Sequence, residues 1–211
     1  MSQSESDGER IVQERFGTAT RAAAFHNSQM LTYLNPQMIR FIHDQDMMFI
    51  ATADAKGHCD CSFRAGSRGF VRVLGRTRMA YPEYRGNGVM ASLGNLMTNP
   101  HIGIVFVDFL HSTIGLHVNG TARVLSNEAV QECHDATDTL LVASQAKGSP
   151  RPECWVFVDV QEAYIHCSKH VPLLKKLDKH INWGTDDEAS KGGDFFQAKT
   201  SPRIPDDSPA K

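Results

Sequence analysis

The sequence predicts a mainly β, α+β protein, an antiparallel β-barrel with flanking helices. About seven short apolar runs, bounded by glycine, proline or asparagine, read as strands rather than helices. Helical patterns stand before, between and after those runs instead of alternating with them, which disfavours a parallel βαβ sheet. No segment repeats with the period of a solenoid.

The first elements are helical. The chain up to Gly8 is polar and expected to be disordered, after which Arg10 to Phe25 reads as one helix with Ile11, Val12, Phe16 and Ala23 on its apolar side. A second helix is better marked: Asn35 is a good N-cap, Pro36 suits the first helical position, and Met38, Ile39, Phe41 and Ile42 form a stripe. Met48 to Ala53 is then strand-like, Ala55-Lys56-Gly57 makes a turn, and Cys59 to Arg64 alternates. That alternation puts Cys59, Cys61 and Phe63 on one face and Asp60, Ser62 and Arg64 on the other. Phe70 to Leu74 and Arg76 to Tyr81 continue the pattern around Gly75.

Met90 to Met97 reads as a short helix ended by Asn99-Pro100, because a residue before proline is pushed out of the helical region. Ile102 to Phe109 is a strongly apolar strand, and Ile114 to Val118 and Thr121 to Leu125 supply two more across Asn119-Gly120. Ser126 caps a helix through Val130, Cys133, Thr137, Leu140 and Leu141, with Glu128 and Glu132 near its positive end. Cys154 to Val160 and Ala163 to Cys167 are the last strands, followed by a basic helix from Pro172 to His180. From Asn182 onward glycines and prolines among charges predict an extended or disordered tail, with Trp183, Phe195 and Phe196 as docking aromatics.

Composition excludes several classes. The 211 residues carry 22 Lys plus Arg against 24 Asp plus Glu, a net charge of -2, which gives neither a nucleic-acid footprint nor a membrane-surface charge. No basic leader precedes an apolar run, and no apolar stretch reaches the roughly 18 residues of a membrane span. A cytoplasmic protein is expected. Five irregularly spaced cysteines favour free thiols over a disulfide framework. Cys59 and Cys61 stand too close for the usual zinc spacing, so no metal is expected there and buried thiols are. The dinucleotide, Walker-type, serine-hydrolase and zinc-protease signatures are all missing.

One stretch carries chemistry of its own. Arg85-Gly86-Asn87 follows a strand and precedes the Met90 helix, offering a guanidinium fork, a glycine that lets amides approach, and a side-chain amide beside a helix start. Arg64, from the polar face of a nearby strand, would add a second guanidinium. Two readings stay open on these residues alone, a phosphate grip and a polar turn with a solvated arginine.

The order of Arg64, Tyr81-Pro82-Glu83-Tyr84-Arg85-Gly86-Asn87, Ser92-Leu93-Gly94-Asn95-Leu96, Asn99-Pro100, a hydrophobic strand ending in Asp108, and Gly120 resembles the pyridoxamine 5'-phosphate oxidase-like family of flavin-binding split barrels. Ala163-Tyr164-Ile165-His166-Cys167-Ser168-Lys169 resembles the last strand of one bacterial branch of it. The resemblance runs from Phe41 to Lys169, and the stretches around Trp183 and Lys191 share that branch's character. It implies a split-barrel homodimer holding flavin mononucleotide (FMN) in two clefts at the subunit interface. By position Arg64, Arg85 and Asn87 would hold the phosphate, the backbone of Met79, Ala80 and Tyr81 would lie along the ring, and Ser62 and Asn95 would make polar contacts. His166 and Lys169 would reach the other subunit's cofactor.

On this reading residues 1–40 form a polar segment and helix, 41–181 the FMN-binding split-barrel domain, and 182–211 the tail. The implied function is a flavin-dependent oxidoreductase acting on a small molecule. Thr113 to Val118 stands where a vitamin B6 oxidase carries an Arg-Gln-Val-Arg strand, and the tail lacks that enzyme's arginine-rich motif, so pyridoxamine phosphate is not the expected substrate. The distal pocket differs too, since Val171-Pro172-Leu173-Leu174-Lys175 follows Lys169 where close relatives have an arginine-serine pair. Haem or flavin carriage without turnover, with His166 or His170 as an axial ligand, and a deazaflavin-dependent reductase are the alternatives. His117 is the acid-base candidate, set against a satisfied barrel histidine.

Overall fold

The computed structural model describes residues 6–134, 136–147 and 151–203. The chain's apolar alternation builds seven strands: β1 (Met47–Ala53), β2 (Cys59–Ala65), β3 (Arg72–Val73), β4 (Arg78–Tyr84), β5 (His101–Val107), β6 (Gly115–Ser126) and β7 (Pro152–His166). They form one sheet in the order β2-β1-β5-β6-β7-β4-β3, with every pairing antiparallel. The sheet curls until Arg64 of β2 hydrogen-bonds Glu83 of β4 at 2.9 Å. No backbone ladder among the described residues joins those strands, so side chains bridge the gap in the barrel.

Alternation decides the core. Met48, Ile50, Met79, Tyr81, Ile104, Phe106, Val118, Val156 and Val158 fill the interior. Helix α3 (Pro36–Asp44) adds buried Ile42, its start fixed by the Asn35 side chain accepting from the Met38 amide at 2.9 Å, as the sequence predicts. On the outer side of β4 and β7, Ala80, Trp155 and Phe157 pack under Val130 and Leu140. These come from α5 (Asn127–Gln131) and α6 (Asp138–Ser144). Among the described residues, the outer face of β2, β1 and β5 has no such cover. Phe63 is 54% exposed there, and Cys59 and Cys61 are exposed rather than buried.

Other expectations are corrected. The single N-terminal helix is two, α1 (Asp7–Phe16) and α2 (Ala19–Gln29), because Gly17 turns left-handed at φ 64° and caps the first. Order begins before Gly8, at a capping box between Ser6 and Glu9. The expected disorder falls outside the described residues for 1–5 and 204–211. Phe70 to Leu74 is a strand only at Arg72–Val73.

Asn119-Gly120 does not separate two strands. β6 runs through it against β7, and the register skips Gln161 as a β-bulge, so two pairs of expected short strands are two long ones. The helix beginning at Ser126 stops at Gln131 and resumes at Asp138, where Thr137 supplies a second cap. Pro172 to His180 forms no helix: Leu173 and Leu177 stay exposed, so no apolar stripe is buried to stabilise one, and Leu174 donates its amide to the Phe109 carbonyl at 2.7 Å. In the tail, Phe195 and Phe196 are 81% and 87% exposed and only Trp183 docks, 5.5 Å from the Tyr84 ring.

Candidate functional site

The loop after β4 leads into helix α4 (Ala91–Thr98), and this junction builds the site. Gly88 at φ 81° and Met90 at φ 57° both take the left-handed conformation, the latter costing a non-glycine residue about 1 kcal/mol. They aim the first turn of α4 so that no side chain caps it. Its leading amides therefore keep their capacity to bind an anion. Asn87 tightens the loop by accepting from the Val89 amide at 3.0 Å, which commits its Oδ1 and leaves Nδ2 as a donor.

A cleft of about 380 Å³ lies against that loop, walled by Ser62, Arg64, Glu83, Asn87 and Ser92. A polar network lines it. Ser92 Oγ donates to Asp60 Oδ2 at 2.6 Å, Ser62 Oγ donates to the same oxygen at 2.8 Å, and Arg64 Nη2 reaches Ser92 Oγ at 3.3 Å. The Ser92 and Ser62 hydroxyls hold the Asp60 carboxyl below the usual carboxylate range. Arg64 Nε meets Glu83 Oε2 at 2.9 Å and Nη1 meets the Phe63 carbonyl at 3.0 Å. Three of its five N–H groups are thus engaged. Burial pushes the Glu83 carboxyl up, against the pull of Arg64.

Tyr81 lies wholly inside the barrel with Met79, and Ala80 lies beneath α5 and α6. The buried Tyr81 hydroxyl has no hydrogen-bond partner among the described residues, and burial raises its pKa strongly. Asn95 donates to Thr52 Oγ1 at 3.0 Å, so it ties α4 to β1 and does not wall the cleft. Arg85 stands beside the cleft, in a neighbouring hollow shared with Arg151 and Gly184. Met90 and Glu153 border both spaces.

His166 and Lys169 lie elsewhere on the chain. His166 Nδ1 is 2.9 Å from His117 Nε2, and His117 stacks on Tyr164 at 4.7 Å. Burial, then the neighbouring His166, holds His117 below the ordinary histidine range. Lys169 is exposed in the 3₁₀ turn Ser168–His170. Sequence reasoning missed Asp60, Glu83 and Ser92 as parts of the cleft. The alternation that put Asp60 on Arg64's face was the available signal for the first.

A family model described as pyridoxamine 5'-phosphate oxidase matches residues 34–167, spanning β1 to β7 and the α4 junction. The chain belongs to the pyridoxamine 5'-phosphate oxidase family. Among solved structures similar to this member of the family is HupZ of Group A Streptococcus, 22% identical over 63% of this chain and 93% of that one, at a TM-score of 0.45. HutZ, the haem storage protein of Vibrio cholerae, is 15% identical over 63% of this chain and 94% of that one, at 0.39. A protein of Clostridium acetobutylicum related to general stress protein 26 is 12% identical over 62% and 85%, at 0.41. A search of curated proteins gives no match. Among the described residues, no group of three or more His, Cys, Asp or Glu is placed to hold a metal ion. No helix among them is long and apolar enough to cross a membrane.

Proposed function

We propose that this member of the pyridoxamine 5'-phosphate oxidase family is an FMN-dependent oxidoreductase, working as a cytoplasmic homodimer on a small molecule other than pyridoxamine phosphate. The observation that carries the reading is the uncapped start of α4, set by two left-handed residues between Asn87 and the helix and flanked by Arg64 and Arg85. That donor set suits a phosphate monoester: a side-chain amide and backbone amides line the cleft, and a guanidinium fork stands in the adjoining hollow. Arg85 and Asn87 Nδ2 hold the phosphate, with the two uncommitted N–H groups of Arg64 behind them, while Ser62, its proton given to Asp60, keeps that carboxylate in place. The buried stretch from Met79 to Tyr81 walls no part of the cleft and backs the site from inside the barrel, and Asn95 sets the position of α4. A bound flavin supplies hydride or electron transfer with a reduced nicotinamide or an organic substrate.

The second copy completes the site in this reading. Phe63, Phe49 and Val105 stand opposite one another across β2, β1 and β5 on the outer face, which no helix among the described residues covers; the row ends at His117, which stacks on Tyr164 beside Phe25 of α2. A row of that kind suits burial against a partner. In this reading His166, beside His117 at the end of that row, and Lys169 reach the partner's cleft. Exposed Cys59, Cys61 and Cys167 suit a reducing compartment.

One absorption spectrum of the protein purified without added cofactor tests the assignment. The expected result is the two-band flavin spectrum, bleached by a reduced nicotinamide. A Soret band in its place would overturn it in favour of haem, with His166 as the candidate ligand.

A further inference from the structure

The tail that follows the barrel does not trail away from the candidate site; it crosses it. Trp183 packs on Tyr84, and Gly184, left-handed at φ 67°, turns the chain so closely that a Cβ there would stand 3.7 Å from Arg85 Cβ. Two residues on, Asp186 Oδ2 lies 2.7 Å from Arg85 Nη2. The same carboxylate is 3.2 Å from Lys191 Nζ through its other oxygen. Upstream, the Leu174 amide and the Lys176–Asp46 ion pair fasten the chain to the barrel, with Lys176, Asp46 and Trp183 lining one hollow.

We infer that Asp186 is an internal competitor for the phosphate of the ligand, holding the Arg85 guanidinium with a carboxylate until a phosphate displaces it. This rests on the reading of Arg85 as a phosphate grip. Asp186 takes Arg85 Nη2 through one oxygen, and a phosphate docked two-pronged on the Nη1–Nη2 edge needs that same nitrogen, so docking there displaces the carboxylate. Release is inexpensive, because Asp186 keeps Lys191 as a partner within its own turn. The hollow beneath also holds Arg151, a second cation that a dianion reaches and a monoanionic carboxylate on Arg85 does not neutralise. The tail therefore acts as a strap whose hold on the site depends on phosphate and weakens with salt.

The test is a fluorescence titration of the full chain with FMN and, separately, riboflavin. Asp186→Asn keeps the shape and removes the charge. Both partners are more than half exposed, so FMN affinity is expected to rise about two- to fivefold, with riboflavin affinity unchanged. In an Arg85→Ala background Asp186→Asn is expected to do nothing. If Arg85→Ala weakens FMN while Asp186→Asn leaves it unchanged, the phosphate grip stands and the competitor is overturned. An Arg85→Ala variant that binds FMN normally removes the grip and the competitor together. Weaker FMN binding by Asp186→Asn would make the tail part of the binding surface and also overturn the inference.

Discussion

Arg64 shows how one side chain serves fold and site together. Its side chain is 19% exposed and that of Glu83 12%, so each charge depends on the other across the gap in the barrel. Removing one partner leaves an uncompensated buried charge. Arg64→Ala should therefore lower unfolding stability by about 3 kcal/mol in a urea titration, and Arg64→Met combined with Glu83→Gln should lose much less. The His117–His166 contact makes a second prediction at this scale. One ring must donate and the other accept, so a doubly protonated pair cannot form it. With His117 held below its unfolded value, the stability it contributes is present above about pH 6.5 and is lost as pH falls through the lower folded value. Melting curves of His117→Gln should be flatter across that range than those of the unaltered chain.

Among the elements, the β6–β7 pair depends on a backbone approach that the side chains do not reveal. A Cβ on Gly120 would fall 2.1 Å from the Asp159 carbonyl oxygen, beside the Gln161 bulge. Gly120→Ala should thus cost about 1–3 kcal/mol, measured by thermal or denaturant unfolding. The same glycine explains one misreading of the sequence: Asn-Gly between apolar runs is a hairpin signal, and only pairing to a distant strand turns it into a bulge. Local chemistry was legible where it decided the outcome alone, as at the Asn35 and Ser126 caps and in the two faces of β2. It was not legible where cover decides, since Cys59 and Cys61 would be buried only if another element lay on their face. The loop into α4 was legible as a site because its donors are consecutive. Asp60, Glu83 and Ser92 come from three elements and meet only in the folded chain.

The acid range tests loop geometry in the same way. Burial pushes the Asp108 carboxyl up, but donors from Ser112, Leu110 and His111 outweigh it and hold the group at about 2. Its contribution to stability is present above about pH 4 and lost as pH falls towards 2, so Asp108→Asn should flatten the acid limb of a pH titration of unfolding.

For the molecule as a whole, the sheet is covered on both faces over β4 and the first half of β7, and on one face over β1 and β2. The uncovered face accounts for the proposed dimer, and Phe63→Asp should shift sedimentation from dimer to monomer without unfolding the chain. A monomer in the unaltered protein would remove the second copy from the site. The central claim is that the α4 junction binds phosphate, and the most direct measurement compares FMN with riboflavin, which differ in that group. A charge-assisted hydrogen bond contributes about 1.5–3 kcal/mol, so the unaltered protein should bind FMN at least roughly tenfold more tightly, and Arg85→Ala should bring the two together. Equal affinity of the unaltered protein for both ligands would contradict it.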